Sequence, residues 1–143
     1  MDFSECKEKF NRVLESHLES INGFNNLHHY AALNNGKRIR PLFIYALLND
    51  IGIDQSSAHQ VAVAVELIHT YSLIHDDLPS MDDDDMRHGK DAHHIKYGEA
   101  KAILTGDSLQ SIAFKIITED SNLSDNQKVL MCNKLALASY QIW

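Results

Sequence analysis

The stretch DQSSAHQVAVAVELIHTYSLIHDD, Asp54 to Asp77, decides the fold. It contains no proline or glycine, and its apolar residues recur at helical spacing. It reads as one long helix from a cap near Asp54 to about Asp76. Its middle is apolar on nearly every side, which predicts burial among other helices. Pro79 forbids a simple continuation.

Working outward, Phe3, Cys6, Phe10, Val13, Leu14, Leu18 and Ile21 recur at three- and four-residue steps, an amphipathic helix that Asn22-Gly23 ends. A short helix is expected over Leu27–Leu33, stopped by Asn34-Asn35-Gly36. Pro41 suits the first turn of the next helix, which runs through LFIYALLND and closes at Gly52. Downstream, Ser80 to Gly98 is polar and reads largely as loop. EAKAILTGDSLQSIAFKII, Glu99 to Ile117, resumes as helix, and SDNQ, Ser124 to Gln127, resembles a capping box for a last helix from about Asp125. There is no confident strand pattern, internal repeat or linker. The expected class is all-α, with residues 1–143 as a single helical unit.

Bulk properties bound the function. A chain of 143 residues is long enough for one domain with a hydrophobic core. Its net charge of -7 leaves no basic surplus to neutralise nucleic-acid phosphates. The longest apolar run, PLFIYALL, is too short to span a bilayer. Cys6 and Cys132 form no CxxC pair and suggest no disulfide framework, and the amino terminus MDFSECKEKF is no secretory signal. The expected location is cytoplasmic.

The chemistry concentrates at the end of the long helix, in HDDLPSMDDDDMRHGK, His75 to Lys90, where six aspartates fall within ten positions. His69 and Asp76 are seven residues apart, which places them on one helix face about 10 Å apart along the axis. Glu66 and Leu73 lie near that face. Carboxylates leaving an apolar wall repel one another and are costly to desolvate. A hard cation such as Mg²⁺ resolves this, because it takes one or two carboxylates plus waters and substrate phosphates. The loop after Pro79 can fold Asp82 back toward Asp76, with Arg87 and Lys90 behind. A solvated acidic loop is the competing reading and the commoner one for acidic runs. Here the run begins inside a buried helix and is followed at once by cations. An EF-hand is disfavoured, since the spaced ligands, central glycine and terminal glutamate are missing.

A second segment, NGKRIRP, Asn35 to Pro41, sets Lys37, Arg38 and Arg40 between a glycine and a helix start, which suits a phosphate group. A basic surface turn is the commoner explanation for such a segment alone, and it is no Walker loop. His88, His93, His94 and the His28-His29 pair read as loop histidines, with neither cysteine nearby in sequence for zinc. His69 shares a face with Asp76, and a packed structural histidine is its equal alternative.

GKRIRP, ELIHTYSLIHDDLPSMDDDDMRHGK and GEAKAILTGDSL occur in the order and spacing of the trans-prenyltransferases, or polyprenyl synthetases. The resemblance covers nearly the whole chain, to about Ser139. Within the family the chain is most similar to the bacterial branch that makes farnesyl diphosphate. Its first aspartate-rich motif is DDxxxxD, lengthened by Leu78-Pro79, and an aromatic residue, Tyr71, stands five positions before Asp76.

The resemblance implies the helical isoprenoid synthase fold around a deep cavity. It implies Mg²⁺-dependent head-to-tail condensation of isopentenyl diphosphate with an allylic diphosphate, dimethylallyl or geranyl. Asp76 and Asp82 match metal ligands, with Asp77 in the same catalytic motif. Arg87 matches the arginine on the allylic diphosphate. Lys37, Arg40 and His69 match the isopentenyl diphosphate site, and Tyr71 and Ser72 match positions that set product length. His88 stands where the family usually has a second, substrate-binding arginine, and Asp91-Ala92 replace its Pro-Thr. The family is about twice as long, and its other half carries a second aspartate-rich motif. The chain is therefore expected to be a truncated N-terminal half that associates through exposed helix faces, as a homodimer or with a partner. The alternatives are a non-catalytic remnant or regulatory subunit that binds Mg²⁺-diphosphate or a partner, and a helical scaffold with an acidic loop.

Overall fold

Capping and periodicity account for most of the helices, with shifted ends and one short addition. The computed structural model describes residues 2–23, 25–34 and 36–140, residue 140 by its backbone alone. Asn35, read as part of a helix stop, lies outside the described residues. Asp2 opens α1 (Phe3–Glu19), its carboxylate accepting from the Ser4 and Glu5 amides at 2.8 and 3.3 Å. Such a cap is worth about 1 kcal/mol. Cys6, Phe10, Leu14 and Leu18 form its buried face. Each fully buried large side chain contributes about 1.5–3 kcal/mol relative to exposure. The helix ends earlier than Asn22-Gly23, and the intervening residues form a turn that Gly23 closes at φ 89°.

Next come α2 (Asn26–Ala32), α3 (Ile39–Asp50), a 3₁₀ turn (Gln55–Ala58) and α4 (His59–Asp76). Asp54 is a cap as expected, but of the 3₁₀ turn, accepting from the Ser56 amide at 2.8 Å; α4 itself starts at His59. The middle of α4 is buried on several sides, through Val63, Ala64, Leu67, Ile68, Tyr71 and Ile74. It packs most extensively against α6 (Glu99–Thr118) and also meets α1, α2 and α3. Gly106 permits the close approach of α4 and α6, because a Cβ there would overlap the His75 imidazole. The capping box before α7 (Asp125–Tyr140) is present: the Ser124 amide donates to Gln127 Oε1 at 2.9 Å, and the Gln127 amide to Ser124 Oγ at 3.4 Å.

Ser80–Gly98 is more ordered than the loop expected there. Strands β1 (Met86–Arg87) and β2 (Lys90–Asp91) pair antiparallel, with Met86 opposite Asp91 and Arg87 opposite Lys90. The two residues between them, His88 and Gly89, have φ of 52° and 78°. Positive φ at both positions is the type I′ arrangement that matches strand twist. Glycine adopts it freely, and histidine is among the side chains enriched there. A short helix, α5 (His93–Tyr97), follows. Among the described residues no helix is long and apolar enough to cross a membrane.

Candidate metal and diphosphate site

The acidic motif is built by the end of α4 and the turn after it. Beyond Asp77 the chain curls back: the Asp82 amide donates to the Asp76 carbonyl at 2.8 Å, and the Asp84 amide to the Asp77 carbonyl at 3.2 Å. This is the fold-back expected of the loop after Pro79. Burial, and then the neighbouring Asp82 and Asp77 carboxylates, raise the Asp76 carboxyl above its usual range. Two carboxylates that repel each other at a protein surface are a donor set suited to a hard divalent cation. Among the described residues no three Asp, Glu, His or Cys side chains converge as a cage. An ion held by Asp76 and Asp82 would therefore complete its shell with water and phosphate oxygens, the ordinary habit of Mg²⁺.

Asp77 has a different place. It is almost fully buried, and Arg87 grips its carboxylate, Nε lying 3.0 and 3.2 Å from the two oxygens and Nη2 also bonding Oδ1. Arg87 Nη2 reaches Asp84 Oδ2 at 3.1 Å as well. The bond to Asp77 is the main reason the guanidinium is held even more firmly charged than usual. Asp77 thus faces its arginine, and the hairpin carries that arginine back over the end of α4. Lys90, across the hairpin, lies 5.9 Å from the Tyr30 ring centroid beside an adjoining small pocket.

The cations gather in a second place. A cavity of about 220 Å³ is lined by Lys37, Arg40, His69 and His88 together with Glu66, Thr70 and Leu73. Residues from the basic turn, α4 and the hairpin tip therefore line one cavity. Burial, then the Arg40 charge, lowers the His69 pKa, so its ring is held neutral near pH 7 and can donate or accept. Arg87 acts electrostatically on both Asp76 and His69 and so links the acidic and cationic parts.

Arg38 departs from the reading that grouped it with Lys37 and Arg40 as an anion ligand. Its side chain turns into the protein, where it pairs with Glu66 at 2.8 Å and also bonds Asn11 Oδ1 and the Ala32 and Asn34 carbonyls. The loop assignment of several histidines is also corrected. His28 is buried in α2, its Nε2 2.9 Å from Ser108 Oγ. His93 and His94 are buried in α5, with His93 Nε2 3.2 Å from the Leu27 carbonyl. His28 thus ties α2 to α6, and His93 ties α5 to α2. Sequence reading places Glu66 near the face of His69 and Asp84 in the acidic run, but pairs neither with its arginine. An acid amid the apolar residues of α4 was the available signal for Glu66.

Tyr71 and Ser72 are both buried. The Tyr71 ring stands edge-on to His75, centroids 5.8 Å apart, and Ser72 Oγ donates to the His69 carbonyl at 2.9 Å. The pair thus sits in the α4 wall more than a turn below Asp76.

The helical architecture is that of the isoprenoid synthases: a solved member of that family from Thermotoga neapolitana superposes with a TM-score of 0.82 at 36% identity, over 95% of this chain and 52% of that one. The polyprenyl synthetase sequence profile matches residues 22–143, and this chain belongs to that family. It is 43% identical over 139 residues to the farnesyl diphosphate synthase of Haemophilus influenzae, covering 94% of this chain and 47% of that protein. It is 49% identical over 112 residues to the farnesyl diphosphate synthase of Escherichia coli, covering 77% and 38% respectively. The geranyltransferase structure from Legionella pneumophila superposes with a TM-score of 0.91 at 38% identity, over 96% of this chain and 50% of that one. The chain spans about half the length of such relatives, or less.

Proposed function

We propose that this chain serves a Mg²⁺-dependent prenyl transfer in which isopentenyl diphosphate condenses head to tail with dimethylallyl or geranyl diphosphate, towards farnesyl diphosphate. The observation that carries this reading is that Lys37, Arg40, His69 and His88 line one cavity. The names of the bacterial relatives support the substrate class.

In this reading Asp76 and Asp82 hold the Mg²⁺, which when bound supplies positive charge to the departing allylic diphosphate. Asp77 keeps Arg87 charged and in place to stabilise the same leaving group. Lys37 and Arg40 fix the diphosphate of the isopentenyl substrate, with neutral His69 supplying a hydrogen bond and His88 completing the rim. The allylic C–O bond breaks with its electron pair leaving on diphosphate. The isopentenyl double bond then attacks the allylic carbon, and a proton departs from the adduct. Tyr71, with Ser72, limits the length of the growing chain by steric exclusion. The reaction is assigned to the cytosol. Association is assigned to faces such as that of α3 and its C-cap, where Ile39, Phe43, Leu47 and Ile51 are exposed.

A second reading is a subunit that binds Mg²⁺-diphosphate without turnover. It is favoured by His88, which puts a weak base at a rim where a permanent cation would hold diphosphate better. Turnover of geranyl and isopentenyl diphosphates with Mg²⁺, followed by product mass, together with calorimetry on inorganic pyrophosphate, separates the two. Farnesyl product supports the first reading, and binding alone supports the second. Absence of both, or unchanged Mg²⁺-dependent binding in Asp76→Ala, overturns both in favour of a scaffold.

A further inference from the structure

We propose that Arg38 is the positioning residue of the cationic cavity: its buried guanidinium fixes the left-handed turn that presents Lys37 and Arg40. The proposal rests on the diphosphate reading for the ligand, but its geometry stands independently.

Arg38 is only 3% exposed. A buried guanidinium is tolerable only when its donors are satisfied. Here Nε donates to Asn11 Oδ1 at 2.9 Å, Nη1 to Glu66 Oε1 at 2.8 Å, and Nη2 to the Ala32 and Asn34 carbonyls at 2.8 and 2.9 Å. The partners come from α1, α4 and the end of α2, so one side chain ties the basic turn to three elements.

The backbone at the same residue has φ 56° and ψ 32°. A non-glycine residue in this region is uncommon and persists where its surroundings over-determine it. The four bonds are those surroundings. Glycine would adopt the turn without strain but could not tether it. All three cations line the cavity, and the tether explains how they divide within it: Arg38 is buried in its wall against Glu66, whereas Lys37 and Arg40 are exposed. Space is tight beside it, for a Cβ on Gly36 would stand 2.9 Å from Asn34 Oδ1 and 3.5 Å from Arg38 Nη1.

The pairing has an electrostatic consequence as well. Glu66 lies one helical turn before His69 and lines the same cavity. With its carboxylate answered by Arg38, the floor of the cavity is charge-balanced. The charges of Lys37 and Arg40 are left to act on an anion.

The test uses the full chain, with two readouts. In the first, inorganic pyrophosphate affinity is measured by calorimetry in the presence of Mg²⁺. Arg38→Lys keeps the charge but cannot span the same acceptors. It should weaken binding on the order of tenfold, the loss of one charge-assisted contact. Asn11→Ala removes a tether from α1 without touching the cavity, and it should weaken binding in the same direction by a smaller factor. It also serves if Arg38→Lys does not fold.

The second readout needs no ligand. The Arg40 charge lowers the His69 pKa, so Arg40→Gln should move the His69 titration upward by NMR. If Arg38 holds Arg40 in place, Arg40→Gln should add less to that shift in the Arg38→Lys or Asn11→Ala background than in the wild type. Equal shifts in all backgrounds would overturn the positioning role. Failure of the wild type to bind pyrophosphate would instead overturn the diphosphate reading, and the His69 titration would still decide the role of Arg38.

Discussion

The molecule holds two arginines on carboxylates of α4 and its C-cap, and they behave differently. Arg38 and Glu66 have side chains 2% and 6% exposed, whereas Arg87 is 31% exposed over an Asp77 that is 3% exposed. Arg38 spends its donors inside the protein on α1, α2 and α4. Arg87 is anchored by one buried carboxylate and keeps a surface toward solvent. Ion-pair chemistry alone does not separate a structural arginine from one able to meet a ligand. Burial and leftover donors do.

The sharpest way to break this comparison is Glu66→Ala. It strands a guanidinium that cannot reach water, and it should cost about 3–5 kcal/mol of folding stability. A urea melt of the variant would show this, and a loss below about 1 kcal/mol would mean that the pair is not buried in solution. Asp77→Asn should cost less, about 1–3 kcal/mol, because the half-exposed Arg87 can turn to solvent. It should also weaken Mg²⁺-pyrophosphate binding in calorimetry, since Arg87 loses its anchor; unchanged affinity would detach Arg87 from the site.

The third prediction concerns sign. The folded protein raises the Asp76 pKa, so protonation is favoured by folding. That contribution is fully present below the unfolded carboxyl range and is lost as pH rises through the folded value. At neutral pH the charge at Asp76 is therefore a small liability in the absence of a cation. Asp76→Asn should raise the melting temperature without Mg²⁺, by the equivalent of at most about 1 kcal/mol for a solvent-screened charge. The same variant should abolish the stabilisation that Mg²⁺ and pyrophosphate give the wild type. Thermal melts with and without both additives check it.

The smallest effect is expected at the hairpin tip. His88→Arg puts a permanent cation on the cavity rim and should tighten pyrophosphate binding about two- to fivefold, the worth of one screened charge. The gain should shrink in high salt. A gain that persists at high salt would mean a direct, desolvated contact.

Much of the fold was legible because it rests on local rules. Phe10, Leu14 and Leu18 mark the α1 face, and Ser124 with Gln127 marks the α7 start, through spacing alone. That Lys37, Arg40, His69 and His88 line one cavity is a long-range fact that no local spacing carries. The hairpin escapes because two-residue strands are too short to show alternation. The buried placement of His93 and His94 escaped with it, since a polar stretch gives no periodic sign of a five-residue helix. Arg38 escaped for a different reason. Lys37, Arg38 and Arg40 are chemically alike in sequence, and the backbone at residue 38 decides which one turns inward.

One contact described for the packing of α4 on α6 also governs the acidic motif. His75 seats its ring over Gly106 and approaches the Ile103 carbonyl at 3.1 Å, like a key in a notch. The next residue is Asp76. The address of the first carboxylate is therefore set by α6, thirty positions along the chain, as much as by the aspartate loop that bears the charge. Any side chain at 106 would shift the end of α4 and mis-register that carboxylate, leaving every acidic residue intact and the site out of alignment.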